Sequence, residues 1–474
     1  MSPASTWTQC RLRWMPCRRS ILTQVVAFPL RWRLKSTVWQ PVCARSTNTT
    51  DSGSSTRGER RDSKTTSFYC MSHSQTVADP VKSRRGALAT GGFAHFVHDG
   101  FTDCVYVLLP LWATAFALSH AEVGVLKMVM SGTLAAAQVP AGVIAERFGE
   151  RAVLAVGTVL AGAGFVLLGW AGGFFSLAVF LGVAGAGCGT QHPLASSIIS
   201  RAHSRAGRRA ALGTYNFTGD LGKVAAPAAV GAGAAAYGWP ESVIGYGIFG
   251  IVAGVILFVL LPADRVASAP NGGVEGETST ADPPATPEWG IVNRRGYATL
   301  AAISMIDSGV RLGFLTFLPF LLIEKGSAVE TLGVALALVF AGGAAGKLVC
   351  GFIAERVGVL RTVLITEIAT GVLMAAVILL PLGAAMVILP LFGVALNGTS
   401  SALYGTIGDF VDGDRQARAY GLFYTCCIGA GAIAPIPFGI VSDQWGVSLA
   451  LGAIATCLIA ILPLCQLLRS SMPR

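Results

Sequence analysis

The stretch Gly142-Val-Ile-Ala-Glu-Arg-Phe-Gly recurs as Gly351-Phe-Ile-Ala-Glu-Arg-Val-Gly, an offset of 209 residues, each time at the exit of a long apolar segment. A repeat of this length constrains architecture more than any single residue, because the two copies must fold alike and lie side by side. The same offset relates Leu109-Pro110 to Leu318-Pro319, Gly124-Val125 to Gly333-Val334 and Gly189-Thr190 to Gly398-Thr399. Several separated anchors at one offset make the chain an internal duplication.

The repeated material is apolar. The chain of 474 residues is 53% hydrophobic and only 13% charged, with a mean hydropathy of +0.61, which is far more apolar surface than a soluble globule can hide. Its apolar runs have the length of a membrane-crossing helix, about 20 residues. Their many Gly and Ala residues suit close helix contact in lipid, whereas a membrane barrel would show short alternating segments. The expected fold is all-α and polytopic, with twelve spans in two pseudo-symmetric six-helix bundles, one over 85–262 and one over 297–470, joined by a linker at 263–296. Within that linker, 267–287 is rich in Gly, Pro, Ser, Thr and acids, the composition of a flexible connection.

Basic residues set the expected orientation. Arg147, Arg151, Arg201, Arg205, Arg208, Arg209, Arg265, Arg294, Arg295, Arg356, Arg361, Arg415 and Arg418 fall on one side, and the opposite turns carry almost no charge apart from Lys325. The basic side is expected to be cytoplasmic, with both termini inside. The net charge of +10 is then a topology signal and not evidence for a nucleic-acid partner.

Residues 1–84 form a basic leader with no core of its own. It reads either as an organelle transit peptide, being rich in Arg and Ser and poor in acids, or as sequence upstream of a true start at Met71; lacking an amphipathic pattern, it favours the second. The corresponding locations are a bacterial inner membrane, or an organelle membrane if the leader is a transit peptide. The eleven cysteines show no metal-ligand spacing, and no disulfide is assigned to them.

The duplicated motif, a Gly, an acid followed by Arg, a second Gly and a further basic residue, resembles the signature of the major facilitator superfamily. Its residues here are Gly142, Glu146, Arg147, Gly149 and Arg151, then Gly351, Glu355, Arg356, Gly358 and Arg361. The resemblance implies a gate at the signature turns, where helix ends exchange partners as the two bundles rock about a central cavity. His95-Phe-Val-His98-Asp99, with Gly187-Cys-Gly-Thr-Gln-His192-Pro193, is similar to the fosmidomycin-resistance branch. That likeness implies proton-coupled export of small anionic or drug-like molecules. Gly222, Pro227 and Gly231 resemble the superfamily's antiporter motif, although Ala226 replaces its second Gly.

Ionisable groups are costly in hydrocarbon, so they face cavities, pair with one another and mark pathways. Asp99 and Asp103 share a helix face at i and i+4, as do Asp307 and Arg311, while Asp220 and Lys223 stand at i and i+3. These residues, with His95, His98 and His192, are the expected substrate and proton pathway. Across the duplication Asp99 aligns with Asp307 and Asp103 with Arg311 after a one-residue shift, so an acid is expected to face Arg311. Such a pair is either a proton-sensitive latch or a static compensation of burial. Arg311 is the best candidate for holding an anion, because a guanidinium grips carboxylate or phosphonate through two bonds.

Lys347 and Glu367 are a further candidate pair. No metal is expected, since His-x-x-His-Asp offers too few ligands on one helix, and no nucleotide loop or other cofactor is implied. The partners are a small-molecule substrate and the bilayer, and a monomer suffices. The leading reading is a proton-driven exporter that is not an enzyme. Symport of an organic anion is its alternative, and a non-transporting receptor or intramembrane enzyme a remote one.

Overall fold

The computed structural model describes residues 80–203, 205–261, 291–411 and 416–472. Most of the leader including Met71, the linker 267–287, Arg265 and Arg415 lie outside the described residues, as do the side chains of Arg205, Arg208, Arg209 and Arg418. The first half comprises α1 (Pro80–Phe116), α2 (His120–Phe148), α3 (Glu150–Leu168), α4 (Phe174–Cys188), α5 (Gln191–Ala202), α6 (Arg205–Tyr237) and α7 (Trp239–Leu260). The second comprises α8 (Arg294–Glu324), α9 (Val329–Val357), α10 (Val359–Leu379), α11 (Leu382–Thr406), α12 (Gln416–Ile433), α13 (Pro435–Trp445), α14 (Val447–Cys457) and α15 (Ile461–Ser471). Because α4–α5, α12–α13 and α14–α15 each make one broken rod, the described helices form twelve spans, six per half. Helices α1 and α8 begin at Pro80 and Arg294, a few residues ahead of the expected bundle boundaries.

Ten of these rods are long and apolar enough to cross a membrane by length and composition. Missing from that set are α1 and α6, the helices that carry Asp99, Asp103, Asp220 and Lys223. Their polar positions therefore coincide with the weakest membrane signal, as expected of helices that face a cavity.

Local chemistry sets the helix ends. Ser119 opens α2 with a reciprocal capping box to Glu122, and the Asn293 side chain accepts from the Gly296 N–H at the start of α8. Each signature turn is a single glycine: Gly149 at φ 86° closes α2 and opens α3, and Gly358 at φ 93° does the same between α9 and α10. A side chain there would be strained in the left-handed region, which gives the repeated Gly a conformational reason.

The two halves meet firmly at the end away from the signatures. The Gly231 and Gly333 backbones face each other where α6 crosses α9, with the Pro227 carbonyl against Gly333 and no room for a Cβ. Similarly Gly124 lies against the backbone of Pro435, and Gly439 against that of His120. Close backbone approach of this kind is how membrane helices gain dispersion contact without a hydrophobic driving force. At the signature end, by contrast, a Cβ added to Gly142, Gly351, Gly213 or Gly421 would meet nothing within 4 Å. The close backbone approaches between halves named here thus gather at the end away from the signatures, the closed end of the molecule.

Candidate functional site

Halfway along α1, Asp99 collects several partners. His95, one turn earlier, brings Nε2 to 3.1 Å of its Oδ2, His192 brings Nε2 to 3.8 Å of Oδ1, and the Lys223 ammonium stands 3.4 Å from Oδ2. Lys223 also reaches Asp103 at 3.8 Å, so one lysine from α6 bridges both acids of the α1 face. His95 is held by Nδ1 at 2.9 Å from the Tyr215 carbonyl oxygen, which leaves Nε2 to the acid. The fourth span breaks at Gly189 and Thr190, and this break places His192 at the start of α5, beside Asp99. That puts His192 beside the acid of the expected pathway.

The other expected partners are rearranged. Asp220 does not pair with Lys223 on its own helix; it pairs with Lys347 of α9 at 2.5 Å, across the interface between halves. Lys347 is consequently not paired with Glu367. His98 turns toward α3, with Nε2 2.7 Å from the Thr158 hydroxyl, and leaves the Asp99 cluster. Both exchanges have one cause: neighbours on one helix compete with partners from facing helices, and in lipid the interhelical partner relieves two buried groups at once.

Arg311 is different. Among the described residues it makes no ion pair within 4.0 Å, not even with Asp307 one turn away, and its Nε is buried without a hydrogen-bond partner. Asp307 of its own helix, Tyr404 of α11, and Tyr106 and Asp103 of α1 lie within its electrostatic reach. Lys127 of α2, which the sequence reading passed over, also lacks a carboxylate partner, but it donates to the Thr102 carbonyl at 3.1 Å and sits 4.0 Å over the Tyr106 ring. Its signal was available as a lone lysine in an apolar run. Asp307 instead lies within electrostatic reach of Glu367 from α10, which the sequence pairs with Lys347.

The donor atoms of His95, Asp99 and His192 fall within 4.8 Å of one another, close enough for a metal ion. Lys223 already supplies the compensating positive charge beside Asp99, which argues for a salt-bridged cluster at this place. At the signature turns, the Arg151 Nε donates to the Phe258 carbonyl at 2.6 Å, and Glu150 pairs with Arg201. Glu146, Arg147, Glu355 and Arg356 form no ion pair with one another among the described residues, in keeping with an open end. Of the antiporter-like set, Gly222 lies against the Phe96 carbonyl of α1, while Pro227 and Gly231 lie against Gly333. All three are sites of close helix packing.

At the closed end a carboxylate from one half clamps a helix of the other. The Asp443 oxygens accept from the N–H groups of His120 at 2.7 Å and Ala121 at 3.0 Å, at the first turn of α2. The His120 Nδ1 lies 2.9 Å from the Ser442 hydroxyl and 3.5 Å from Asp443.

Comparison with known proteins agrees with this architecture. A probable sulfoacetate transporter of Cupriavidus necator is 27% identical over 393 residues, spanning 77% of this chain and 89% of the relative. A probable 4-methylmuconolactone transporter of Cupriavidus pinatubonensis is 23% identical, with 74% and 82% covered. A hexuronate transporter of Bacillus subtilis is 25% identical, with 64% and 75% covered. Among solved structures, a bacterial homologue of the human lysosomal transporter Spinster, crystallised inward-facing and unoccupied, superposes with a TM-score of 0.69 at 17% identity, covering 83% of this chain and 99% of that one. The Major Facilitator Superfamily model matches residues 91–435, most of both bundles, and the chain is therefore a member of that superfamily.

Proposed function

We propose that this protein carries a small organic anion across a bacterial inner membrane together with a proton, with the signature side facing the cytoplasm. The carrying observation is Arg311, a guanidinium at the centre of the bundle with a buried Nε and no ion pair among the described residues. Every other central cation already has a carboxylate, or a carbonyl and a ring. A fixed, unpaired positive charge in a low-dielectric cavity attracts an anion and holds it bidentately. The relatives' names, for sulfoacetate, a hexuronate and a muconolactone, support a cargo of this class. So does the likeness of His95 to Asp99, and of Gly187 to Pro193, to the fosmidomycin-resistance branch.

Linkage supports symport over export. If a proton and a cargo compete for one site, each expels the other and the carrier is an antiporter. If protonating an acid removes a negative charge that stands beside the cation holding the cargo, each favours the other and the two travel together. An anion at Arg311 beside Asp307 is the second case, which favours symport over the export reading. In proteoliposomes loaded at neutral pH, an acidic exterior should drive inward accumulation of labelled sulfoacetate or a hexuronate. Accumulation driven only by an acidic interior would overturn symport, and no uptake of any organic anion would overturn the cargo class.

A further inference from the structure

Asp307 and Glu367 are buried together with no lysine or arginine within ion-pair distance among the described residues. Their surroundings are hydroxyls, thiols and one guanidinium. From α8 itself come Arg311 and Ser304; from α10, Thr366 and Thr370; from α11, Thr399 and Tyr404; from α12, Cys427; and from α15, Cys465. The Glu367 Oε1 is buried without a partner, as are the hydroxyl oxygens of Ser304 and Thr370. Two buried carboxyls within electrostatic reach of each other repel when both are ionised, and a proton between them relieves the repulsion and supplies a hydrogen bond.

Charge balance isolates this pair. Asp99 and Asp103 are balanced by Lys223 and by Lys127, which lies within electrostatic reach of Asp103, and Asp220 is balanced by Lys347. In the second half two acids stand near a single cation, Arg311. With one proton shared by the acids, this group is neutral. When an anion binds Arg311, the same group stays neutral only if a second proton joins the pair. We propose that Asp307 and Glu367 form the proton site of this carrier, sharing one proton when the site is empty and taking up a second, on Asp307, as an anion occupies Arg311. The second proton comes from bulk water and is returned to it when the anion leaves, so no bond other than O–H forms or breaks. The inference rests on the proposed anion transport for its second proton, but not for its first.

Two measurements on the purified full-length protein separate these parts. Infrared spectroscopy of the empty protein at neutral pH should show a C=O stretch of a protonated carboxylic acid, lost in Glu367→Gln because Asp307 then ionises beside Arg311. An unchanged band in that variant would overturn the shared proton, whatever the protein transports. In weak buffer with a pH indicator, sulfoacetate addition should take up about one proton per anion bound by the wild type and none in Asp307→Asn. Uptake persisting in Asp307→Asn would overturn the second step. If the wild type binds no organic anion, the proposed cargo fails while the infrared arm still decides the pair. Should Glu367→Gln not fold, the Asp307→Asn arm decides on its own.

Discussion

The clamp of Asp443 on the first turn of α2 exists only while the closed end is closed, so weakening it should tilt the protein toward its other conformation. Its contribution follows from its contacts. The carboxylate accepts two backbone bonds, at 2.7 and 3.0 Å, from N–H groups with no intrahelical partner, and it sits at the positive end of the helix dipole. Charge-assisted bonds are worth about 1.5–3 kcal/mol net, and a charge at a helix N-terminus about 0.3–1 kcal/mol. Asp443 is 30% exposed, so the lower figures apply. An Asn keeps one oxygen acceptor and loses the charge, which leaves a deficit of about 1–2 kcal/mol and a shift of roughly 5–30-fold in the ratio of conformations. Asp443→Ala should shift it further. His120→Ala should do less, because the clamped groups are backbone N–H and not the imidazole. Pulsed electron resonance distances between labels in the 169–173 and 325–328 turns, which lie at the closed end of opposite halves, would report the populations. An unchanged distance distribution in Asp443→Ala would refute the clamp.

Arg311→Gln should weaken sulfoacetate binding at least tenfold, from the loss of one or more charge-assisted bonds of about 1.5–3 kcal/mol, and equilibrium binding with labelled anion checks it; normal affinity would return Arg311 to a structural role. Lys347→Met leaves Asp220 buried without its cation and should cost about 3 kcal/mol, the low end for a broken buried pair because Lys347 is 34% exposed. Pairing it with Asp220→Asn should recover most of the lost thermal stability, and a double mutant no more stable than the single would contradict the pair. Gly142→Val meets open space in this conformation and should leave the melting temperature unchanged while stalling transport, since the signature end cannot close over a larger side chain. Wild-type flux in that variant would show that Gly142 is not part of the closing surface.

Fold and site were legible to different depths. The repeat, the hydropathy and the basic turns lead to twelve spans in two halves, because membrane helices must satisfy their backbones internally and leave little topological freedom. Helical spacing also places Asp99 and Asp103 on one face, and a single lysine does bridge them. Spacing fails where a residue has a choice. Asp220 and Lys223 are neighbours on α6, yet each turns to another helix, and which way it turns depends on helix rotation that no local pattern encodes. Glu367 was misassigned for the same reason, although its own helix carried a usable signal. Thr362, Thr366, Glu367 and Thr370 recur at helical period along α10, and all four are buried.

That polar stripe bears on where the proton resides. The sequence suggests Asp99 or Asp103, because they align with Asp307 and Arg311 across the duplication. Yet the duplication preserves position without preserving partners: the first half has Lys223 and Lys127 around its acids, and the second has Glu367 and a row of hydroxyls. A carboxylate held by an ammonium at 3.4 Å is stabilised in its charged form. On the proposed mechanism, one beside another carboxyl gains or loses a proton as an anion binds or leaves the nearby guanidinium. On the proposed mechanism the two halves of one duplication divide the work, the first holding the bundle's charges in place and the second binding anion and proton together.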